Sequence, residues 1–427
     1  MSRLSAGDRL LLLDLLRLPT AGPLETGSDV GCGIREAQVR YARAAAAFGM
    51  EVAHHAPADP AVLSLEGVPA VVREAAGADP AAFLGAQPNL VLRLGPELPP
   101  ERVVMFNVHI DTVSGDLPVR LGRDRVEGRG AIDAKGPAVA LLAGIRSACA
   151  REPSVGRDVG VLVQAVSGEE GGAMGVFGTR PLVASGYFGR LNVFCEPTGM
   201  RVLPRATAAM TASISVAGSD SVDDEPEVGH NATVLLGFLA QHLAESLGRD
   251  AGDGAVCVAG LHTGHRHNRV YGSGKLLINL SYSSAVTARR WEDAVTTELR
   301  RGLVEFSRRF AHIPLFGRTA ADAPDITVLR WEKRGLPALR GTDSWGEDFL
   351  SREVGLTSWP PERPAFTCDA IWMAEVPGVH TVVLGPGELG RNNAHASGEY
   401  AGFEELEQFA ECVERILIRF ARSRKER

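Results

Sequence analysis

The chain reads as an α/β protein: a mainly parallel sheet with helices on both faces, carrying an inserted α+β domain. Three observations lead there. Over residues 1–205, apolar runs of strand length alternate with alanine- and leucine-rich helical stretches. Near residue 206 the pattern changes to strands with alternating apolar and polar positions, as in a sheet with one exposed face. After about residue 330 the first pattern returns. The expected division is therefore 1–205 with 331–427 for one domain and 206–330 for the insert. A chain of 427 residues, 45% hydrophobic, is long enough for two cores.

The elements follow in order. RLLLLDLLRLP, residues 9–19, is interrupted by Arg9, Asp14 and Arg17, so it reads as an amphipathic helix and not as a signal or membrane segment. Residues 34–49, IREAQVRYARAAAAFG, form a helix closed by glycine. PNLVLRLG, RVVMFNVHI, VGVLVQAVS, RLNVFCEPTG and HTVVLGPG are strands, and GPAVALLAGIRSACA is the helix after the second of them. In the insert, ATAAMTASISVAG and KLLINLSYSS are strands, followed by the helices NATVLLGFLAQHLAESLG and ARRWEDAVTTELRRGLVEFSRRF respectively. FEELEQFAECVERILIRFARS is the last helix, with ARSRKER as its fraying end.

Composition excludes some functions. A net charge of -7 with no basic stripe argues against a nucleic-acid partner. Six cysteines without CxxC spacing read as core residues of a reducing compartment, so a cytoplasmic protein is expected.

Chemistry gathers where the strands end. His109 and Asp111 stand two residues apart, on one face, as RVVMFNVHI opens into a loop. Asp133 follows in the glycine-punctuated GRGAIDAKGP, just before a helix. VGVLVQAVS ends at Glu169 and Glu170 in SGEEGG. Adjacent residues point in different directions, so one carboxylate can bind a metal while its neighbour holds a water. RLNVFCEPTG ends at Glu196, and HTVVLGPG leads to His395. In open parallel sheets ligands gather at the carboxyl edge, which is where these residues fall.

The series HIDTV, GRGAIDAKGP, SGEEGG, CEPT and GPG…AHASGEY resembles the dinuclear zinc family of acetylornithine deacetylase, succinyl-diaminopimelate desuccinylase and glutamate carboxypeptidase, over nearly the whole chain. The resemblance implies that Asp133 bridges two metals. Glu170 and His395 would complete one metal, and His109 and Glu196 the other. Glu169 would be the general base and Asp111 the partner that orients His109. Two dications roughly 3.5–4 Å apart need a shared anion, and a carboxylate offers one oxygen to each. A ligating imidazole needs its second nitrogen tied down. The mixed nitrogen and oxygen donors suit zinc, with cobalt or manganese as further occupants. No HExxH helix of a mononuclear zinc peptidase is present.

The insert resembles the family's lid, which often also forms a homodimer, but it departs from the pattern. The family's lid histidine, a donor to the tetrahedral oxyanion, aligns with Val222 in SDSVDDEPEVGHNATV. His230 is either its substitute or a residue capping the next helix. The family's carboxylate-binding arginine aligns with Ser281 or Tyr282, leaving Arg266, Arg269 and Arg289 as neighbouring sources of that charge. In HTGHRHNRV, Asn268 matches an asparagine that meets substrate or oxyanion. Thr367 and Asp369 in FTCDA sit where the family lines its pocket, and equally where a helix N-cap would stand. The expected function is hydrolysis of an amide in an N-acyl amino acid, small peptide or related biosynthetic intermediate. The alternative is a metal-retaining, non-hydrolytic member that binds a ligand or partner or has a redirected activity.

Overall fold

The computed structural model describes residues 4–27, 32–115, 117–249, 252, 254–341 and 343–425. The chain forms two compact units, Met1–Ala206 with Leu339–Arg427, and Thr207–Ala338.

The first unit is built on a six-stranded sheet of β1 (Met50–Ala56), β2 (Asn89–Leu94), β3 (Val103–His109), β4 (Gly160–Val166), β5 (Leu191–Phe194) and β6 (His380–Val383), in the order β1-β2-β4-β3-β5-β6. The four strands β4, β3, β5 and β6 run parallel, while β1 and β2 pair antiparallel at one edge. Strand alternation gives the sheet two different faces. Val104, Phe106 and Val108 of β3, with Val161 and Val163 of β4, enter one dry core. Helices α1 (Ala6–Leu16), α2 (Ile34–Ala46), α3 (Lys135–Arg151) and α4 (Phe403–Lys425) contribute the rest of it, through Leu12, Tyr41, Leu141 and Phe409 among others. The other face carries buried amides. Asn107 Nδ2 donates to Gln164 Oε1 at 2.8 Å and to Thr179 Oγ1 at 3.0 Å, which places the short helix Thr179–Ala184 on that side.

α1 is fixed at its start by a capping box between Ser5 and Asp8. Arg146 of α3 then binds the Asp8 carboxylate through both terminal nitrogens, at 2.9 and 2.6 Å. α3 and α4 approach closely because Gly144 has no side chain. A Cβ there would stand 2.5 Å from the Ala410 carbonyl and 2.7 Å from Val413 Cβ. Gly144→Val is therefore expected to force the two helices apart. Overpacking of this kind costs about 3 kcal/mol, read as a lower midpoint in thermal unfolding followed by circular dichroism.

The second unit is a four-stranded antiparallel sheet in the order Ala255–His262, Ser273–Tyr282, Ala208–Ala217, Thr327–Lys333. Helices Ala232–Arg249 and Ala285–Phe310 bury Leu235, Leu239 and Leu243, and Trp291, Val295 and Phe306 respectively. Two strands here were not expected, AVCVAGLH and TVLRWEK. The second keeps the chain in this unit until Ala338, beyond the expected return near residue 330. The first is an exposed edge strand even though its residues 255–259 are all apolar.

Among the described residues, no helix is long and apolar enough to cross a membrane, and all six cysteines are free.

Candidate metal centre

The four parallel strands end on the same edge, and the candidate ligands stand there in register. His109 closes β3 opposite Val166, and Asn107 lies beside Phe194, two residues before Glu196. β6 pairs with β5 through Val383 and Phe194, and its outgoing loop carries His395. Asp133 enters from the turn before α3.

His109 is buried, and its Nδ1 lies 2.9 Å from the Asp111 main-chain carbonyl. A carbonyl only accepts, so Nδ1 carries the proton and Nε2 is left to face the site. Nε2 stands 2.8 Å from Asp133 Oδ1 and 3.8 Å from Glu196 Oε1. His395 Nε2 lies 3.0 Å from the other Asp133 oxygen, Oδ2, and 3.0 Å from Glu170 Oε1. Asp133 thus presents one oxygen to each histidine. His109, Asp133 and Glu170 can bring one ligand atom each to within 4.8 Å of one another.

The expectation for Asp111 needs correction. Its carboxylate does not orient His109, because Oδ1 lies 3.8 Å from Nδ1 and the main-chain carbonyl takes the proton. Asp111 Oδ2 instead accepts from the backbone N–H groups of Gly168, at 3.0 Å, and Glu170, at 3.1 Å. Asp111 is a positioning residue for the Glu169–Glu170 loop. Gly168 has φ +75°, and a Cβ there would meet the Phe177 ring at 2.2 Å. The tight turn that aims both glutamates requires glycine.

Two further residues hold the candidate ligands, and the sequence did not single them out. Glu399 is buried, and its Oε1 accepts from the backbone of Ile132 at 3.2 Å and Asp133 at 3.3 Å. Arg129 Nη1 donates to its other oxygen at 2.7 Å. Asn392 pins the His395 loop, accepting from the Glu388 N–H at 2.9 Å and donating to Tyr400 O at 3.2 Å and Glu405 Oε2 at 3.0 Å. The loop holds His395 at φ +62°, a left-handed conformation costing roughly 1–3 kcal/mol outside glycine. The one signal for Glu399 was its place at the end of AHASGEY.

Asp369 joins the cluster and is not a helix N-cap. It is buried, and Thr179 Oγ1 donates to its Oδ2 at 2.5 Å. Through Thr179 it connects to Asn107 and the amide face of the sheet. Thr367 is half-buried two residues earlier.

The electrostatics define what the cluster lacks. Asp111, Asp133, Glu169, Glu170, Glu196 and Asp369 face only two imidazoles. Burial pushes Glu196 up to about 8, with neighbouring carboxylates adding to the rise. Burial, then Glu170 and Glu196, hold Glu169 well above the usual carboxylate range. Asp369 is pushed to about 7, mainly by burial. His395 is raised to about 10 by its bonds to Asp133 and Glu170. His109 is also raised far above its ordinary value, although burial alone would lower it, because Asp133 and Glu196 favour its charged form. Asp133 is lowered against burial by its bonds to the two histidines. Buried Asp111 Oδ1 and Glu170 Oε1 have no partner in hydrogen-bond geometry. Burying this many carboxylates is costly without compensating cations. The donor set therefore fits a metal cation, with His109, Asp133 and Glu170 able to close on it together.

In the second unit the lid candidates separate. His230 is buried, its Nδ1 accepting from the Ser219 N–H at 2.8 Å and its Nε2 lying 3.0 Å from Asp322 Oδ2. Both nitrogens are engaged within that unit, so His230 is a structural histidine and not a substitute oxyanion donor. The helix cap is Asn231, which accepts from the Val234 N–H at 3.0 Å. Val222 is exposed and pairs with Arg269 in a two-stranded ribbon. Arg269 is bound to Asp220, and the buried Tyr282 donates its hydroxyl to Leu336 O at 2.7 Å. Asn268, Arg266 and Arg289 are exposed.

A histidine and carboxylate cluster at the carboxyl edge of an α/β sheet, in a chain with an inserted α+β unit, defines a hydrolase class whose site has donors suited to a metal ion. Residues 105–419 match the peptidase family M20/M25/M40, and the chain belongs to that family. A putative [LysW]-lysine/[LysW]-ornithine hydrolase of Aeropyrum pernix is 32% identical over 196 residues, 46% of this chain and 51% of that protein. The chain thus spans about half the length of this curated relative. Among solved structures, a tripeptidase of Staphylococcus aureus superposes with a TM-score of 0.67 at 16% identity, covering 97% of this chain and 98% of that one. An M20 metallo-carboxypeptidase of Sulfolobus solfataricus gives 0.67 at 11% identity, covering 98% and 100%. Human carnosine dipeptidase 1 gives 0.63 at 12% identity, covering 97% of each chain. These likenesses establish a shared fold.

Proposed function

We propose that this chain is a dinuclear metallo-amidohydrolase acting on an N-acyl amino acid, a small peptide or a related biosynthetic intermediate. The observation that carries the reading is Asp133, whose two oxygens face His109 and His395 separately, beside a glutamate left free of ligands. His109 and Glu196 would hold one ion, Glu170 and His395 the other, and Asp133 both, with zinc favoured and cobalt or manganese suited to the same donors. Bound there, the ions would polarise the scissile carbonyl and acidify a water.

The chain's own residues do the rest. Glu169 makes no hydrogen bond to any described residue, so its carboxylate is available to take a proton from the attacking water and deliver it to the leaving nitrogen. Its raised proton affinity suits that task. Asp111 and Gly168 set the position of Glu169, and Glu399 sets that of Asp133. Mass-spectrometric detection of products from N-acyl amino acids and dipeptides with metal-loaded protein tests the reading. Cleavage of one subset supports it. No cleavage of any member at two bound metals per chain counts against it.

A narrower reading concerns specificity. Val222 offers no donor, His230 is engaged, and Arg269 is paired, so these three supply neither the family's lid histidine nor its arginine. Asn268, Arg266 and Arg289 are the remaining candidates there. This favours a specialised substrate over generic acetylated amino acids, and efficient turnover of the latter would contradict it. The same absence is what the non-hydrolytic alternative rests on.

We also propose a homodimer formed through the second unit. Its edge strand Ala255–His262 leaves a row of backbone groups unpaired, with Val258 and Leu261 exposed. Leu261→Lys is expected to shift a dimer to monomer in light scattering after size exclusion, and unchanged mass would exclude this edge.

A further inference from the structure

The six-stranded sheet has a second edge, opposite the metal centre. β3 delivers His109 at one end and begins at Val103 at the other, and a strand of this length puts about 20 Å between them. At the Val103 end, within the first unit, lies a cavity of about 700 Å³. Arg93, Glu97, Leu98, Val103, Tyr187 and Phe188 are among the residues that line it. That size suits a small organic ligand, and no step of the proposed hydrolysis reaches it.

The walls are largely apolar and already in place. Tyr187, Phe188 and Leu98 are half-buried, so part of each stays accessible to a ligand. Tyr187 is fixed from two directions. Its N–H donates to Leu182 O at 3.1 Å, and its carbonyl accepts from Gln164 Nε2, a buried side chain of β4, at 2.7 Å. Gln164 is held in turn by Asn107 Nδ2 at 2.8 Å. A wall fixed before binding spares the ligand the cost of ordering it.

One charge in the cavity is poorly matched. The Arg93 side chain is 28% exposed, and among the described residues its guanidinium meets one acid, Glu97, at 3.9 Å. That separation is too long for a hydrogen bond. Glu97 is itself 85% exposed, so water screens the pair and it contributes little. A guanidinium carries five N–H donors in a planar fork that fits a carboxylate. Arg93 therefore has a fork to offer, at the side of an apolar cavity with two aromatic rings in its wall.

We propose that this cavity is a second ligand site, one that takes a small aromatic carboxylate. The ring would lie among Tyr187, Phe188 and the proline-rich turn at residues 96–100. The carboxylate would take the Arg93 fork and displace Glu97. The distance from His109 means that the occupant is not the molecule being cleaved, and the site stands whether or not the chain hydrolyses amides.

The test is calorimetric and needs no turnover. Metal-loaded protein is titrated with benzoate, phenylacetate and 3-phenylpropionate, with the amide of each, and with acetate. Acetate measures what the metal centre alone takes from a carboxylate. One aromatic carboxylate is expected to bind about tenfold more tightly than both its amide and acetate, the scale of a bidentate charge-assisted pair. Arg93→Met is expected to bring that affinity down to the level of the amide. Glu97→Gln is expected to raise it about threefold, a gain that a misfolded variant would not show. If no aromatic carboxylate exceeds acetate, the proposal is overturned. It is equally overturned if the preference persists in Arg93→Met with circular dichroism and metal content unchanged, because the carboxylate would then be bound elsewhere.

Discussion

Glu169→Gln is expected to lower kcat by about 10²–10⁴, the usual contribution of a positioned general base, while metal content stays at the parental level. The two halves of this result come from different features of the site. Glutamine has nearly the shape of glutamate but cannot take up a proton, so proton delivery to the leaving nitrogen is lost. Metal binding survives because the groups that meet His109 and His395 are Asp133, Glu170 and Glu196. Glu169, by contrast, has no hydrogen-bond partner among the described residues. Glu170→Gln should behave in the opposite way, losing an ion because its Oε1 stands 3.0 Å from His395 Nε2. Kinetics together with metal analysis by mass spectrometry separate the two. If Glu169→Gln turned over at the parental rate with its metals in place, the base would have to be another group. If it lost metal, Glu169 would be a ligand and the assignment of the adjacent pair would be reversed.

Much of this site was legible because its parts lie at the ends of apolar runs. RVVMFNVHI, VGVLVQAVS and RLNVFCEPTG each bury at least one face against the core, so their polar terminal residues stand out against the background. β1, MEVAHHA, passed unnoticed because an edge strand with two histidines lacks such a run. The supports were less visible than the ligands. Glu399 reaches Asp133 across 266 positions, and Thr179 reaches Asp369 across 190, distances over which no local spacing carries information. Asp111 was recognised as a partner of the site, but not through which atom. The HxD spacing puts both side chains on one face, yet a main-chain carbonyl took the imidazole proton. His230 shows the same limit from the other side. Its neighbourhood in sequence suggested an oxyanion donor or a helix cap, whereas a bond to Asp322, 92 positions away, engages it within its own unit.

Removing the metals is expected to abolish activity and to make stability fall as pH rises. The sign follows from the direction of each shift. Glu196, ordinarily near 4.5, is held at about 8 by burial and then by its carboxylate neighbours, and Glu169 is raised in the same way. A carboxylate whose folded value lies above its unfolded value binds more protons when folded. Its destabilising effect therefore begins near pH 4.5 and grows up to the folded value, here near 8. His395, raised from 6.5 to about 10, contributes stability that is complete below pH 6.5 and lost as pH rises through 10. Asp133 runs the other way, since its lowered value gives stability that is lost only in acid. Between pH 5 and 8 the raised glutamates and His395 act together. Chelator-treated protein should therefore lose on the order of 5–10 °C in unfolding midpoint across that range, which corresponds to about 2–3 kcal/mol for a domain of this size. Metal-loaded protein should show the opposite trend. Ion binding requires deprotonated carboxylates and neutral imidazoles, so the stabilisation by added zinc should increase from pH 5 to 8. Thermal unfolding with and without chelator across that range reads both slopes. Parallel curves would mean that the buried carboxylates do not carry the metal, and the centre would have to be sought elsewhere.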